Sequence, residues 1–449
     1  MVMYKIVETQ AQFKEFISKC NGSDVILHPI MSDHNLHSLN NDICGIYIKI
    51  IEGDSYFLSF NHSESLNLSI GLLKDLKCFG KVYCLDKKTI NHIFDFDNVY
   101  DVSLLHYLNT NKVLDIEKIT TNSHTFFYQR YYRFKNINRI IPIVKHIELC
   151  DKIVELMETT IKTYQINDVY DTYNKVVIPN LSYIENNGIY VEPTKVDLNH
   201  KKHVNDNNLL FSEYNIFTST GRPSNRFGGI NFAALNKDDG SREPFQSRYG
   251  KNGMLVEYDF DSYHVRLIAD IIGYKFPNGS VHKYLGDQYG IDDYNESKGM
   301  TFKLLYGGIP KEVSDNIPFF GKVSEYIKIK WREYKRSFSV KSDIYNREIK
   351  GQNLFNMNSN KLFNYLIQLD ETENNMNVIT GIKDYLKDKH TKLVLYNYDS
   401  FLFDYCQKDG KNILNEIKNI IENNKFPTKV KAGKNYDSLV DVTEKISEF

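Results

Sequence analysis

Two apolar segments that carry carboxylates constrain the fold of this chain more than any other feature of its sequence. Leu255–Phe260 is an apolar run with Asp259 near its end, and Lys392–Phe403 is a pair of apolar runs with Asp399 at the turn between them. Carboxylates at strand ends can hold divalent cations, and two of them brought together can hold a pair of Mg²⁺ ions for phosphoryl transfer. In the alternative interpretation, Asp259 caps a helix and Asp399 only forms a turn.

Lys298, Phe302 and Tyr306 recur every fourth residue, so they share one face of a predicted helix. A cation and two aromatic rings on one face suit a nucleotide, because the cation meets phosphates and a ring meets a base or sugar. The alternative is an amphipathic core helix with a snorkelling lysine.

Composition limits the class of protein. The chain has 449 residues, 41% of them hydrophobic, which predicts two or three domains. No apolar run approaches the roughly 18 residues of a membrane span, and the first residues lack the apolar core of a signal peptide. With 56 basic and 57 acidic residues, any DNA binding must use local patches. Six cysteines without a CxxC motif predict reduced, mostly buried thiols of an intracellular protein.

Hydrophobic patterns divide the chain into three parts. Residues 1–165 read as an α/β unit, residues 166–216 as a connector and residues 217–449 as one α+β domain. The patterns of the first part predict strands at Asp24–Leu27, Ile43–Ile51, Tyr56–Phe60 and Lys81–Leu85, and a helix within Ile140–Ile166. The pair Gly53-Asp54 predicts a hairpin turn between the second and third of these strands. In the connector, a short helix stops at Asn187-Gly188 and a strand ends at Pro193.

Taken in order, the segments from about Thr218 to Leu439 resemble the palm and fingers of family A DNA polymerases, with fingers at roughly residues 280–360. The motifs that carry the resemblance are the TGR segment Thr220–Arg222, motif A at Asp259–Arg266, the start of the fingers at His282 and Tyr289-Gly290, the nucleotide-binding helix at Lys298–Tyr306, the NxxxQ segment at Asn364 and Gln368, motif C at Tyr398–Ser400 and the closing strand Val430–Asp437. Seven matches in one order are more specific than any single motif.

The resemblance implies a nucleotidyltransferase that uses two Mg²⁺ ions. Asp259 and Asp399 would bind the metals, and Lys298 would neutralise the leaving group as a third catalytic residue. The residues implied in nucleotide binding are His282, Lys298, Phe302, Tyr306 and His264. Those implied in primer–template binding are Arg222, Asn364, Gln368 and Tyr398. The implied partners are a DNA primer–template and dNTPs.

Three positions depart from the pattern of the family. His264 stands where the family has the Glu that excludes the ribose 2′-hydroxyl, which places sugar discrimination in question. Ser400 stands at the acidic third position of motif C. Tyr294 stands where the family has a phosphate-binding Arg, and this loss of charge predicts weaker nucleotide binding.

The first part of the chain resembles, more faintly, the α/β RNase H-like 3′–5′ exonuclease domain of the family. The strand that should carry Asp-x-Glu reads His28-Pro29-Ile30, and Ile90 stands at the next metal-binding position. Asp101 and Asp151 are candidate remnants. Because two-metal hydrolysis needs a carboxylate cluster, we expect an inactive exonuclease fold with a scaffold role.

Tyr183–Pro193 resembles the start of the family's thumb, but residues 194–217 are too few for two long helices at about 1.5 Å per residue. A vestigial thumb predicts a weak grip on DNA and a protein partner that supplies processivity or thumb function.

Two basic segments contain interleaved aromatic residues. Lys322–Lys341 has seven basic and two acidic residues, and Arg130–Arg139 is similar. Each predicts a contact with single-stranded nucleic acid; the alternatives are an amphipathic helix with buried rings for the first and a partner surface for the second.

The sequence therefore predicts an α+β fold with a family A polymerase-like palm and fingers, preceded by an α/β RNase H-like exonuclease-type domain. The predicted function is template-directed DNA synthesis without proofreading, in the cytoplasm of a bacterial cell, with a phage as a candidate source. The alternative is a weak or inactive polymerase-fold subunit that binds DNA or assists assembly. No membrane partner is expected.

Overall fold

The computed structural model describes residues 4–116, 136–351 and 356–446, except for the side chains of residues 198 and 199. The chain forms two compact units. The first comprises Met1–Asn186, Asp197–Phe211 and Phe227–Ile230; the second comprises Asn187–Val196, Ser212–Arg226 and Asn231–Phe449. This division differs from the predicted boundaries, because it places residues 166–186 with the first unit rather than in a connector.

The first unit contains one mixed sheet of six strands. Its strands are β1 (Tyr4–Val7), β2 (Val25–Met31), β3 (Ile43–Ile50), β4 (Ser55–Ser59), β5 (Val82–Cys84) and β6 (Val99–Asp101). They lie in the order β1-β4-β3-β2-β5-β6, and β3 runs antiparallel to both of its neighbours while the other pairs are parallel. Its helices are α1 (Gln10–Cys20), α2 (Lys87–Ile93), α3 (Val102–Thr110), α4 (Ile143–Thr163), α5 (Asp168–Thr172) and α6 (Ile178–Asn187).

Both faces of this sheet are buried, because alternate residues of a strand point to opposite sides. Val25 and Leu27 of β2 belong to a core that includes Phe16 of α1. Ile26, between them, belongs to a second core that includes Ile153 of α4. The unit is therefore an α/β layer structure with helices on both faces of its sheet.

Several local predictions for this region are confirmed. The turn at Gly53-Asp54 joins β3 and β4, which pair antiparallel. The helical pattern of residues 140–166 corresponds to α4. Helix α6 ends at Asn187, and Gly188 follows with a φ of 57°, a left-handed conformation that glycine adopts without strain. Arg130–Lys135 of the second basic segment lies outside the described residues.

Further along the chain, the strands are β7 (Ile189–Val191), β8 (Leu209–Leu210), β9 (Tyr214–Asn215), β10 (Ser224–Phe227), β11 (Ile230–Asn231), β12 (Phe245–Gln246), β13 (Gly253–Phe260), β14 (Ser339–Lys341), β15 (Glu348–Lys350), β16 (Lys392–Asn397), β17 (Ser400–Cys406), β18 (Thr428–Gly433) and β19 (Val440–Asp441). The helices are α7 (Leu198–Lys201), α8 (Tyr263–Ile271), α9 (Val281–Tyr289), α10 (Tyr294–Gly307), α11 (Lys311–Asn316), α12 (Pro318–Ser337), α13 (Ser359–Tyr385) and α14 (Asn412–Glu422).

The second unit is built on a five-stranded antiparallel sheet in the order β16-β17-β13-β18-β19. Central strand β13 carries Asp259, whose register partners are Ser400 on β17 and Lys429 on β18. The hairpin that joins β16 to β17 therefore ends beside Asp259. The sheet thus brings together two segments that are far apart in the sequence.

Helix α13 is unusual because its middle turn is polar and buried. Asp370, Glu371, Thr372 and Glu373 are each at most 1% exposed. Asp370 accepts a hydrogen bond from the backbone N–H of Asp343, 2.8 Å away. Buried carboxyl groups require such partners. Burial, followed by the charges of Glu373 and Asp343, raises the pKa of Asp370 to about 8, so this group is mostly protonated at pH 7.

The first basic segment lies on α12 and β14. Tyr334 is buried, and the Tyr326 hydroxyl donates to Asp343 at 2.5 Å, so these two rings fit the amphipathic-helix alternative. Arg332 and Lys335 are exposed, as is Phe338. The contact with single-stranded nucleic acid stays a prediction.

Within residues 194–217, the regular structure consists of the one-turn helix α7 and the two-residue strands β8 and β9. Two long helices are therefore absent from this described segment. None of the described helices has the length and apolar character needed to cross a membrane.

Candidate active site

The two predicted metal-binding carboxylates lie next to each other in the second unit. Asp259 pairs in register with Ser400, the residue that follows Asp399. The backbone N–H of Phe260 donates to the backbone carbonyl of Asp399 at 2.9 Å. Both side chains line one cavity of about 380 Å³.

Backbone strain marks both edges of this site. Tyr398, at the tip of the β16–β17 hairpin, has a φ of 61°, and Ser262, just before α8, has a φ of 55°. Side chains other than glycine rarely adopt this left-handed region, and such strain is found preferentially at functional sites. Asn375 of α13 holds the hairpin tip, because its side-chain amide donates to the carbonyl of Tyr398 at 2.6 Å.

The surroundings of Asp259 and Asp399 disfavour their negative charges. Burial, followed by the charge of Asp399, raises the pKa of Asp259 to about 6. The pKa of Asp399 is also raised, first by loss of hydration and then by the charge of Glu371. Among the described residues, no cation forms an ion pair with either carboxylate. Oxygen donors with uncompensated charge fit a hard divalent cation such as Mg²⁺.

Most of the predicted site residues line this cavity. Those that do are Arg222, Asp259, His264, His282, Lys298, Phe302, Tyr306 and Asp399. Asn364, Gln368 and Tyr398 do not line it. Asn364 and Gln368 nevertheless share a face of α13 with Glu371, which does, because residues three and four apart lie on one side of a helix.

Helix α10 forms one wall of the cavity and places the predicted nucleotide-binding side chains. Phe302 and Tyr306 stack with their ring centroids 5.9 Å apart and their planes nearly parallel. The His282 ring lies 5.6 Å from that of Phe302. His282 is buried, and its pKa is lowered to about 4 by burial and then by the charge of Lys298, so the ring is neutral at pH 7.

Glu371 joins two elements of the site. Its carboxylate lies 2.7 Å from Arg222 Nε and 3.1 Å from His264 Nε2, and the other ring nitrogen of His264 contacts the Tyr306 hydroxyl. Burial alone would raise the pKa of Glu371, but His264 and Arg222 outweigh it and lower the pKa. Arg222 also stacks on Tyr398, with 3.7 Å between the guanidinium carbon and the ring centroid.

The glycine of the TGR segment is required by close packing. Gly221 has a φ of 73°, and a Cβ built there would lie 1.9 Å from a terminal nitrogen of the buried Arg347. Residues with a side chain rarely adopt this φ, and a Cβ here would force the buried Arg347 guanidinium to move, so a substitution at Gly221 would be strained.

Sequence reasoning assigned no role to three charged residues of the cavity, Asp261, Glu371 and Lys429. Asp261 lay within the segment identified as motif A. The spacing of Glu371 could have predicted its position, because it lies three residues after Gln368 and seven after Asn364. It therefore shares their helix face. No such spacing predicts the place of Lys429, because its position opposite Asp259 depends on the register between β13 and β18.

In the first unit, protein partners occupy the carboxylates. The predicted remnant Asp101 accepts from the backbone N–H groups of Lys87 at 2.9 Å and Leu104 at 2.8 Å, and thereby caps α3. Asp151 accepts from the Tyr47 hydroxyl. Ile90 is buried.

Two groups of potential metal ligands lie in the first unit among the described residues: Cys44, His62 and His146, and His37, His92 and Glu185. In the first group, His62 Nε2 and His146 Nε2 each lie 2.8 Å from a backbone carbonyl. In the second, Lys88 and His92 hold the carboxylate of Glu185. His62, His146 and Glu185 thus have partners within the protein itself.

Comparison with known proteins identifies the fold class. The chain has the fold of a DNA polymerase domain. A solved structure that it resembles is the POL domain of Pol1 from M. smegmatis, in complex with DNA primer-template and dNTP, with a TM-score of 0.70 and 12% sequence identity over 97% of this chain and 100% of that chain. At this identity the likeness concerns the fold. No protein-family model matches the chain, and no curated protein matches it.

Proposed function

We propose that this chain is a template-directed DNA polymerase that adds dNTPs to a primer 3′ end. The observation that carries the proposal is the adjacency of Asp259 and Asp399 in a cavity that Lys298 also lines. The polymerase-domain fold supports it, as does the family A motif order of the sequence.

Asp259 and Asp399 would hold two Mg²⁺ ions, for which their oxygen donors and uncompensated charge are suited. Bound there, the ions would lower the pKa of the primer hydroxyl and neutralise charge on the triphosphate.

The side chains of α9 and α10 would bind the incoming nucleotide. The Lys298 ammonium is exposed, and no ion pair with a described carboxylate occupies it, so it can meet phosphate oxygens and protonate the leaving group. Phe302 and Tyr306 offer parallel ring faces for a base or sugar.

Arg222, Tyr398, Asn364 and Gln368 would contact the primer–template. Arg222 is held on both sides, by Glu371 and by the ring of Tyr398. A cation fixed in this way loses little conformational entropy when it binds a phosphate or a base edge.

Primer extension on a labelled hairpin with four dNTPs and Mg²⁺ tests the proposal. We expect extension by the wild type and its loss in Asp399→Asn. The matched control is Asp409→Asn, because Asp409 is a turn carboxylate that accepts backbone hydrogen bonds outside the cavity. An Asp399→Asn protein that extends as well as the control contradicts the proposed mechanism.

One observation favours a second candidate, a polymerase-fold subunit that binds DNA without synthesis. Ser400 offers no carboxylate at the hairpin, and its hydroxyl donates to the carbonyl of Asn397 at 3.3 Å. This candidate predicts primer–template binding without extension under any metal, even when extract containing a partner is added.

We further propose that the first unit is an inactive exonuclease-type scaffold. Its mixed sheet with helices on both faces, and the structural partners of Asp101 and Asp151, support this proposal. The test is 3′-end trimming of single-stranded DNA with Mg²⁺ or Mn²⁺. Trimming that persists in an Asp259→Ala, Asp399→Ala protein would overturn it.

The short segment at residues 194–217 supports the proposal that a partner protein supplies part of the grip on DNA. We expect weak, salt-sensitive binding of a primer–template by this chain alone. Nanomolar affinity in physiological salt, measured on the isolated chain, would contradict this expectation.

A further inference from the structure

Three permanently charged cations line the cavity, and their partners differ. Glu371 neutralises Arg222. Lys298 forms no ion pair with a described residue. Lys429, on β18, lies 3.1 Å from Asp261 Oδ1 with half of its side chain exposed. Lys429 is thus the one cation of this cavity that is held at the rim by a single carboxylate oxygen.

The position of Lys429 complements helix α10. Its ammonium lies 6.0 Å from the ring centroid of Tyr294. Tyr294 is one turn before Lys298, so the two share a face of the helix. The first turn of α10, which contains Tyr294, carries no cation that faces the cavity, and the next turn carries Lys298. Lys429 therefore places a positive charge beside the first turn.

A third polar group faces the same corner. His282 is 1% exposed, its ring lies 5.8 Å from that of Tyr294, and neither ring nitrogen has a hydrogen-bond partner among the described residues. A buried ring without partners is costly unless a ligand satisfies it. Two ammonium groups and a neutral imidazole suit a ligand with several anionic oxygens.

We propose that Lys429 binds the polyphosphate of the incoming nucleoside triphosphate and supplies the charge that Tyr294 lacks. The inference rests on the proposed polymerase function. Before the nucleotide arrives, Asp261 holds the ammonium at the rim. Partial burial alone would lower the pKa of Lys429, but the bond to Asp261 outweighs it and raises the pKa, so the lysine stays charged. When Lys429 turns to the phosphates, Asp261 retains Arg266, whose guanidinium lies 3.5 Å from its other oxygen.

The test compares Lys429→Met with Lys425→Met. Lys425 is a matched control, because it is equally exposed and ion-paired with Asp270 at 3.0 Å, outside the cavity. We expect Lys429→Met to raise the KM for dNTPs about ten-fold with kcat within about two-fold, and Lys425→Met to change neither. The Kd of a labelled dNTP, measured by equilibrium dialysis with Ca²⁺, should rise in parallel with KM.

The rescue variant sharpens the test. Because the ammonium of Lys429 lies beside the ring of Tyr294, the double variant Lys429→Met, Tyr294→Arg should recover most of the lost affinity. A structural role for the Lys429–Asp261 pair predicts no such recovery.

The outcomes separate this inference from the function on which it rests. If the wild type binds dNTPs and Lys429→Met binds them equally well, the inference is wrong and the proposed function stands. If the wild type binds dNTPs but does not extend a primer, synthesis is refuted, and the Kd values still decide the role of Lys429. A wild type that binds no dNTP refutes both.

Discussion

Two carboxylates of this molecule, one in each unit, have opposite environments. In the first unit, Glu185 is fully buried, with Lys88 Nζ at 2.8 Å and His92 Nε2 at 3.0 Å. Burial alone would raise the pKa of Glu185, but Lys88 and His92 outweigh it and lower the pKa to about 2. In the second unit, the pKa of Asp259 is raised to about 6, and no described cation pairs with it.

The difference fits a structural role for Glu185 and the proposed metal-binding role for Asp259. A carboxylate whose charge is balanced by the protein contributes to folding and has little to offer a ligand. A buried carboxylate that the fold places beside another negative charge is unfavourable in its charged form until a cation binds. A raised pKa alone does not mark a functional carboxylate, because burial also raises the pKa of Asp101, the N-cap of α3, to about 7. What distinguishes Asp259 is that it also lines a cavity together with Asp399, and substitutions at Asp259 and Glu185 test this contrast.

The largest effect is expected at Asp259. Asp259→Asn should reduce primer extension about a thousand-fold, because the proposed metal ligand is lost. The free energy of unfolding should stay equal or rise, because the folded state disfavours the negative charge of Asp259. Extension assays and urea unfolding measure the two quantities. Asp404→Asn is the control, because Asp404 lies away from the cavity and accepts from the Ser247 hydroxyl at 2.6 Å and from Arg248 Nε at 2.8 Å, hydrogen bonds that an amide retains only in part. If Asp259→Asn lost as much stability as the control, Asp259 would contribute to folding as a structural carboxylate does.

At Glu185 the effects should reverse. Glu185→Gln leaves the Lys88 charge buried without its partner, which should lower the free energy of unfolding by about 3 kcal/mol. Extension at 20 °C by the folded fraction should be unchanged, since Glu185 lies outside the cavity. Calorimetry and activity per folded molecule measure the two effects. A lost activity without lost stability would assign Glu185 a function instead.

The pH dependence of stability provides a second check at Glu185. A carboxyl group whose pKa is lower in the folded state contributes stability above its unfolded pKa of about 4.3, and this stability is lost as the pH falls towards the folded value near 2. The wild type should therefore lose more stability than Glu185→Gln between about pH 5 and pH 2. Equal losses would show that the ion pair contributes nothing.

Local sequence patterns predicted much of this fold, because turn residues and the alternation of apolar and polar residues determine structure within a few residues of themselves. The hairpin at Gly53-Asp54 and the end of α6 at Asn187 follow from such signals. The strand that carries Asp259 and the hairpin that carries Asp399 were also evident. A carboxylate at a strand end has several common roles, so these segments alone did not indicate metal binding. That hypothesis depended on the order of the family A motifs.

Long-range pairings explain what the sequence did not reveal. Glu371 and Arg222 are 149 residues apart in the chain, and only the packing of α13 brings them together. The position of Lys429 depends on the register between β13 and β18. In the first unit, the polar remnants that suggested an old catalytic site proved to have structural partners, as Asp101 has in capping α3.

A smaller effect is expected at Glu371, which combines both kinds of environment. It is paired with Arg222 and His264, yet it lines the cavity. Glu371→Gln should reduce kcat about ten-fold, because Arg222 and His264 lose the charge that positions them. The ratio of rNTP to dNTP incorporation should also change, since His264 contacts Tyr306.

The matched control for this prediction is Glu373→Gln. Glu373 lies two residues further along α13 and is equally buried, but it accepts from the Ser342 hydroxyl at 3.1 Å and the Tyr345 N–H at 2.8 Å instead of facing the cavity. The control should lose stability and keep the incorporation ratio. If both variants change the ratio alike, the effect belongs to the helix and not to Glu371.

The smallest effect is expected at Asp270, a carboxylate that is both paired and exposed. It lies 3.0 Å from Lys425, and about half of each side chain is exposed. Because water screens such pairs, Asp270→Asn should change the free energy of unfolding by less than about 1 kcal/mol and leave extension unchanged. Urea unfolding at low and high salt measures this effect, and raising the salt should abolish any difference from the wild type. A loss of several kcal/mol that persists in high salt would mean that an ion pair stabilises the fold even without burial. A null result would show that a paired carboxylate contributes to folding only where it is also buried, as Glu185 is.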